Sequence, residues 1–174
     1  MNEIARSWPA EAETLLGDLV TLRRAIHREP ELGLQNPKTL AKIKEALAGL
    51  PLEFREGPST TGLVAILRGP ANGRTVLLRG DMDALPLTED YVSEFQSTRE
   101  GAMHACGHDT HVAMLASAAR LLSDNKDQLT GKIRFMFQPG EEGYHGAKYM
   151  IEEGVLDGVD RAFAIHVVTN MPNG

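Results

Sequence analysis

Beyond its first fifty residues, the chain alternates short apolar runs with helical stretches, and this alternation constrains the fold more than any other feature. The apolar runs are bounded by Gly, Pro, Asp or Asn, and they predict strands with at least one buried face. They comprise residues 63–67, 76–78, 133–137 and 162–168. A long helix is predicted from about Thr110 to Ser123, and a short one from Ala147 to Glu153. Strands that alternate with helices predict an α/β fold.

Two further helices are predicted near the start of the chain. Leucine and isoleucine recur there at helical spacing, at Leu15, Leu19, Leu22 and Ile26 and again at Leu40, Ile43, Leu47 and Leu50. The first stretch stops near Pro30, and the second opens after Asn36, a candidate N-cap, and fades at Gly49. The polar segment from Thr88 to Met103 is instead predicted to be a surface loop of the kind that often borders a site.

Composition excludes several classes of function. The chain has 18 Lys+Arg against 24 Asp+Glu and no basic block, so we expect no nucleic-acid partner. No stretch approaches the roughly 20 consecutive apolar residues of a membrane span, and the N-terminus lacks the apolar segment of a secretory signal. Cys106 is the only cysteine, which excludes an internal disulfide. We therefore expect a cytoplasmic protein without a membrane partner.

The densest chemical signal is the segment MHACGHDTH, residues 103–111. It holds four potential metal ligands within eight residues: His104, Cys106, His108 and His111. Alternate side chains of an extended segment face one side, so the first three are expected to converge, with Gly107 allowing a bend. The dipole of the following helix is expected to favour the thiolate of Cys106. Metal binding therefore explains the cluster better than a half-buried loop with surface histidines.

The second signal is FQPGEEG, residues 137–143, just past a predicted buried strand. Adjacent carboxylates do not easily reach the same atom, so Glu141 and Glu142 are suited to different tasks. One can bind a metal while the other takes a proton from the attacking water. A solvated acidic turn is the alternative, but open α/β sheets place their ligands at the carboxyl ends of strands.

Single residues on two other strands point to the same edge. His166 lies in the apolar run 162–168, where a buried imidazole needs a partner. Taken alone it is best explained as a core histidine bonded to a backbone carbonyl, but beside the other candidate ligands a fourth metal ligand is the simpler explanation. Asp81 and Asp83 follow another strand and alternate, so one is expected to face the site and orient a ligating imidazole while the other turns away or caps the turn. His27 is expected at the surface, and His145 at the edge of a loop.

Together these side chains predict a metal site. Three strands would deliver acids or imidazoles to one edge of the sheet, facing the Cys–His loop. Cysteine, histidine and carboxylate ligands suit a borderline or hard divalent ion, with Zn²⁺ and Mn²⁺ the natural candidates.

Five segments, in this order and spacing, resemble the aminoacylase/carboxypeptidase-like metallopeptidases. They are RRAIHREPELG, LRGDMDALPL, MHACGHDTHVAML, FQPGEEGYHGAKYMI and AIHV, and the resemblance runs from about Leu22 to His166. The branch is the one that contains hippurate hydrolases, N-acyl-amino-acid amidohydrolases and plant auxin-conjugate hydrolases.

The resemblance implies a three-layer helix-sheet-helix catalytic domain that holds two divalent metal ions, Mn²⁺ or Zn²⁺. It implies that Cys106 binds or bridges the ions and that His108, Glu142 and His166 are further ligands. Glu141 matches the general base that activates the water. Asp83 matches a carboxylate that supports the metal site without binding the metal directly.

The resemblance also implies that residues 1–174 are the N-terminal portion of such a catalytic domain. The lid or dimerisation domain and the C-terminal catalytic portion, which brings one more metal-binding histidine, are expected to be absent. Residues 170–174 match the usual run into the lid only loosely. Dimerisation would then depend on the missing domain.

The expected activity is metal-dependent hydrolysis of the amide bond of N-acyl amino acids or related conjugates. Glu141 would take a proton from a metal-activated water and pass it to the leaving amine. Cys106 as a protease nucleophile is a poorer interpretation, because no motif places a histidine as its base. Two alternatives stay open: a non-catalytic protein that stores or senses a metal, and an inactive truncated product.

Overall fold

A five-stranded mixed sheet forms the centre of the protein, in a computed structural model that describes residues 4–171. Its strands are β1 (Leu52–Glu56), β2 (Leu63–Arg68), β3 (Ala71–Asp81), β4 (Thr130–Gln138) and β5 (Arg161–Ala164). They lie in the order β1-β2-β4-β3-β5. Strand β3 runs parallel to β4 and β5, whereas β2 runs antiparallel to β1 and β4. The carboxyl ends of β3, β4 and β5 therefore share one edge of the sheet.

Helices cover both faces of this sheet. They are α1 (Ile4–Thr14), α2 (Leu16–Arg28), α3 (Pro37–Ala46), α4 (His108–Asp124) and α5 (Gly146–Glu152). The main core packs α2, α3 and α4 against one face and includes Ile26, Ile43 and Phe135. A smaller core, of Leu77, Met136, Met150 and Val155, packs α5 on the other face. The predicted helix-sheet-helix layering is confirmed.

Two elements were not predicted from the sequence, and one strand was predicted wrongly. Helix α1, IARSWPAEAET, offers few large apolar side chains as a signal, and β1 reads LEFRE and is mostly exposed. The strand predicted over 162–168 is present as β5, but it ends at Ala164 and is exposed along its length, with Phe163 54% exposed, so the predicted extent and burial are wrong. The reason is that, in the described part of the chain, β5 pairs on one side only, with β3.

The start of α3 depends on a residue outside the helix. Asn36 occupies the predicted N-cap position, but its side chain makes no capping hydrogen bond. The carboxylate of Glu31 accepts hydrogen bonds from the backbone nitrogens of Lys38 at 3.2 Å and Thr39 at 2.8 Å instead. Glu31, six residues before the helix begins, thus stabilises its positive end.

Across residues 4–171, no helix combines the length and apolarity that crossing a membrane requires. Part of the loosely matching segment 170–174 lies outside the described residues, since it extends past Met171.

Candidate metal centre

The predicted site residues gather at the shared edge of the sheet. Asp81 ends β3, and Asp83 follows two residues later. The two glutamates, Glu141 and Glu142, lie just beyond β4, and His166 lies just beyond β5. The amino-terminal residue of α4, His108, faces all of them. The prediction that three strands deliver acids and imidazoles to one edge is confirmed.

His108 stands at the centre of the site and is fully buried. Its Nδ1 donates a hydrogen bond to the backbone oxygen of Asp83 at 2.9 Å, which leaves Nε2 for a ligand. That Nε2 is buried without a hydrogen-bond partner in the described structure and lies 3.8 Å from Glu141 Oε2 and from Glu142 Oε1. Burial alone would lower the pKa of His108, but the contact with Asp83 and the charge of Asp81 raise it.

Asp83 fixes the backbone of the glutamate pair. Its Oδ1 accepts the backbone N–H of Glu141 at 2.9 Å, and its Oδ2 accepts that of Glu142 at 3.1 Å. The two glutamates differ in environment: the side chain of Glu141 is 42% exposed, whereas that of Glu142 is 21% exposed and has a buried Oε1 with no hydrogen-bond partner among the described residues. Adjacent carboxylates are thus presented differently, which suits them to different tasks.

Cys106 and His166, sixty residues apart in sequence, meet beside His108. The Sγ of Cys106 lies 3.3 Å from Nε2 of His166, whose Nδ1 donates to the backbone oxygen of Val167 at 2.7 Å. Gly107 makes this approach possible: its φ is +86°, and an added Cβ would lie 2.6 Å from Cγ2 of Val167. The predicted bend at Gly107 is confirmed.

Two expectations about these residues are wrong. His166 is exposed beyond the end of a short edge strand, and it is not a buried strand residue. The pKa of Cys106 is raised to about 11, by burial first and then by the neighbouring carboxylate of Glu142. Burial and the surrounding carboxylates thus favour the thiol over the expected thiolate in the metal-free site.

Asp81 and Asp83 do not face opposite ways, because each has a carboxylate oxygen 3.6 Å from a ring nitrogen of His108. Asp81 also accepts hydrogen bonds from His111 Nδ1 at 2.5 Å and from Arg79 Nη1 at 2.6 Å. Burial would raise the pKa of Asp81, but the hydrogen bond from His111 and the neighbouring positive charges lower it. The sequence GDMD pointed to these two aspartates, but the alternation of side chains in a strand predicted their directions wrongly, because the strand ends at Asp81.

The remaining histidines, inside and outside the segment 103–111, have different surroundings. His111 accepts the backbone N–H of Val167 on Nε2 at 3.0 Å while its Nδ1 contacts Asp81, so both ring nitrogens are engaged. His104 is buried outside all the ligand groups found among the described residues, and burial lowers its pKa to about 4. His145 is exposed as expected. His27 is buried, contrary to the expected surface position.

The arrangement fits a divalent cation on its own chemistry. One ligand group joins Cys106, His108 and His166, and a second joins His108, Glu141 and Glu142, each with its ligand atoms within 4.8 Å of one another. A third group joins Asp81, His108 and His111. Two of these atoms, Nε2 of His108 and Oε1 of Glu142, are buried and unpartnered, which is costly unless a ligand occupies the space between them. Thiolate, imidazole and carboxylate donors together suit Zn²⁺ or Mn²⁺.

Comparison with known proteins gives consistent results. The sequence profile described as peptidase family M20/M25/M40 matches residues 77–174. Thermostable carboxypeptidase 2 of Saccharolobus solfataricus is 49% identical over 159 residues, which is 90% of this chain and 40% of that protein. N-acyl-L-amino acid amidohydrolase of Geobacillus stearothermophilus is 41% identical over 158 residues, covering 90% of this chain and 43% of that protein.

A solved structure shares both sequence and fold with the chain. The YXEP protein of Bacillus subtilis, described as a dinuclear metal binding peptidase from the M20 family, superposes with a TM-score of 0.88 at 38% identity. The match covers 92% of this chain and 45% of that one. The chain thus spans about two fifths of the length of the relatives that it matches.

Proposed function

Since the chain belongs to peptidase family M20/M25/M40, we propose that it is the N-terminal, metal-binding portion of a metal-dependent amidohydrolase that cleaves the amide bond of N-acyl amino acids. The observation that carries this proposal is the pair of buried, unpartnered atoms, His108 Nε2 and Glu142 Oε1, that face each other across 3.8 Å. The substrate class is supported by relatives named N-acyl-L-amino acid amidohydrolase and N-acetyl-L-cysteine deacetylase.

We assign the metal to four residues of this chain. Cys106, His108, Glu142 and His166 would hold two divalent ions, Zn²⁺ or Mn²⁺, with Cys106 supplying a thiolate. When bound, the ions would polarise the amide carbonyl and lower the pKa of the attacking water. Because Cys106 is a thiol in the metal-free site, its proton must leave as the metal binds.

Glu141 is the group proposed to move the proton. Its side chain is the more exposed of the pair, so it can face both a water and the substrate nitrogen. The carboxylate would take a proton from the attacking water and then give it to the leaving amine, while the water oxygen forms the new bond to the amide carbon and the C–N bond breaks. Asp83 supports this role by holding the backbone of both glutamates.

The test compares the full-length protein, loaded with Zn²⁺ or Mn²⁺, with its Glu141→Gln variant on N-acetyl and N-benzoyl amino acids. We expect the variant to keep its bound metal and to lose turnover by about 100- to 10,000-fold. Glu152→Gln, at an exposed position of α5, is the matched control and should retain both properties.

Two outcomes would overturn parts of the proposal. Equal turnover in the wild type and Glu141→Gln would remove Glu141 from the base role. Stoichiometric metal with no hydrolysis by the full-length wild type, in which the C-terminal catalytic portion is present, would favour a protein that stores or senses the ion.

A further inference from the structure

A second cluster of ionisable side chains lies behind the proposed metal centre and centres on His27 of α2. The imidazole is 3% exposed. Its Nδ1 lies 2.7 Å from Asp109 Oδ2, and its Nε2 lies 3.1 Å from Glu89 Oε1. Arg23, one turn earlier on α2, places its Nε 2.7 Å from the same oxygen of Asp109. None of these residues is among the proposed metal ligands.

The contacts of His27 determine its protonation state. Both of its nitrogens face carboxylate oxygens, and ionised carboxylates only accept hydrogen bonds. A neutral imidazole has one donor and one acceptor, so it would satisfy one carboxylate and repel the other. An imidazolium donates to both, and it also balances the cluster: Arg23 and His27 carry two positive charges against the two negative charges of Asp109 and Glu89.

The cluster connects three parts of the molecule. Asp109 is in the first turn of α4, directly after His108, and its Oδ1 accepts the backbone N–H of Thr110 at 2.9 Å. Glu89 belongs to the long polar segment 88–103, and its Oε2 accepts the backbone N–H of Ser97 at 2.6 Å. His27 therefore joins α2 both to this segment and to the start of the helix that carries His108.

Further contacts show that the segment 88–103 is fastened to α2 rather than free. Thr98 donates from its backbone N–H and its hydroxyl to the backbone oxygen of Arg28, at 2.9 and 2.7 Å. The ring of Phe95 packs edge-on against His27 and lies 4.8 Å from the guanidinium of Arg23. Within this set of contacts, the buried His27 links the segment to α4, through Glu89 and Asp109.

We infer that His27 is a buried imidazolium that acts as a positioning residue, holding the 88–103 segment and the first turn of α4 so that His108 and Cys106 keep their places in the metal site. Its effect on metal binding rests on the proposed function, whereas its charge state does not. The residue acts through Asp109 and Glu89 and touches no proposed ligand.

The groups around His27 support the charged form. Burial alone would lower its pKa, but the hydrogen bonds to Asp109 and then Glu89, with the charge of Asp109, raise it overall. Arg23 opposes this, with its Nη2 3.4 Å from the Nδ1. His104, whose ring lies 6.2 Å away, has a pKa lowered to about 4 by burial and adds no charge near neutral pH.

The direct test is the ring ¹H–¹⁵N correlation spectrum of the ¹⁵N-labelled chain without metal. In an imidazolium both ring nitrogens carry protons and resonate close together, whereas a neutral ring gives two widely separated signals. We expect the imidazolium pattern for His27 to persist at about pH 7.5, above the ordinary pKa of histidine. The neutral pattern at that pH would overturn the assignment.

The positioning role is tested by Zn²⁺ titration of wild type, His27→Gln and Glu89→Gln. We expect both variants to weaken Zn²⁺ binding by about 10- to 100-fold, the effect usual for residues that orient ligands, and to speed amide hydrogen exchange at Ser97. Should His27→Gln fail to fold, Glu89→Gln decides, because it removes one contact and leaves the Asp109 contact in place. His145→Asn, at an exposed histidine, is the control and should match the wild type.

The possible failures are distinguishable. A wild type that binds no Zn²⁺ would count against the proposed function, while the ring spectrum would still decide the charge of His27. Unchanged Zn²⁺ affinity in folded His27→Gln and Glu89→Gln would overturn the positioning role.

Discussion

Two clusters of similar residues lie on either side of the start of α4 and differ in charge balance. In the cluster around His27, two carboxylates meet two cations, and both ring nitrogens of His27 have partners. In the candidate metal centre, four carboxylates surround His108, and Arg79 is the arginine that pairs with one of them. The cluster around His27 is electrically balanced without a bound ion. The acidic cluster has two unpartnered buried atoms, and a bound cation would offset its excess negative charge.

Removing a proposed metal ligand from the acidic cluster should have the largest effect on metal binding. For Cys106→Ser we expect Zn²⁺ affinity to fall by more than the roughly 10- to 100-fold effect of a supporting residue, because a direct donor is lost. The measurement is competition against a chelator of known affinity. A Cys106→Ser protein with wild-type affinity would show that the sulfur is not a ligand.

Asp83→Asn should have the next largest effect. The amide has one acceptor oxygen, so it cannot accept the backbone N–H groups of both Glu141 and Glu142 as the carboxylate does. We expect Zn²⁺ affinity to fall by about 10- to 100-fold with the fold intact by circular dichroism. Asp90→Asn, at an exposed aspartate, serves as control; equal affinities in the two variants would contradict the role of Asp83.

A substitution at Gly107, between Cys106 and His108, should have a smaller effect, which is measured on the free energy of unfolding. Gly107→Ala should destabilise the fold by about 1–2 kcal/mol, because its φ is +86° and the new Cβ would lie 2.6 Å from Val167. Gly101→Ala is a matched control with φ +72° and no atom within 4 Å. Thermal melts should show a larger loss at Gly107; an equal loss would mean that Val167 yields without cost.

The balanced cluster predicts a dependence on pH. Because the folded pKa of His27 is raised, its contribution to stability is fully present below the unfolded value of 6.5 and is lost as pH rises through the folded pKa. Each tenfold tightening of proton binding to His27 on folding corresponds to about 1.4 kcal/mol of stability. Denaturant titrations of wild type and His27→Gln should therefore differ more at about pH 6 than at about pH 9. A difference that grows with pH would contradict the charged state.

Much of the fold followed from apolar patterning, since β2, β3, β4, α2, α3 and α4 each present an apolar face or run. The elements that were missed or misplaced depend on long-range context. Strand β1 has little apolar signal of its own and is held by pairing with β2, and the exposure of β5 depends on which strands flank it.

The candidate site was predictable where motifs concentrate ligands and less so where partners come from distant elements. The clustering of Cys106, His108 and Glu142 follows from two dense motifs and the shared strand edge. The burial of His27 could not be read from its own helix, because its partners Asp109 and Glu89 lie 82 and 62 residues away. The predicted extent of the domain and the cytoplasmic location stay predictions.

The central claim is that this edge of the sheet holds divalent metal through Cys106, His108, Glu142 and His166. An anomalous difference map from crystals of the chain grown with Zn²⁺ tests it most directly. The account predicts density bonded to Cys106 Sγ, His108 Nε2, a carboxylate oxygen of Glu142 and His166 Nε2. Zinc bound elsewhere on the protein, with these four side chains free of metal, would contradict it.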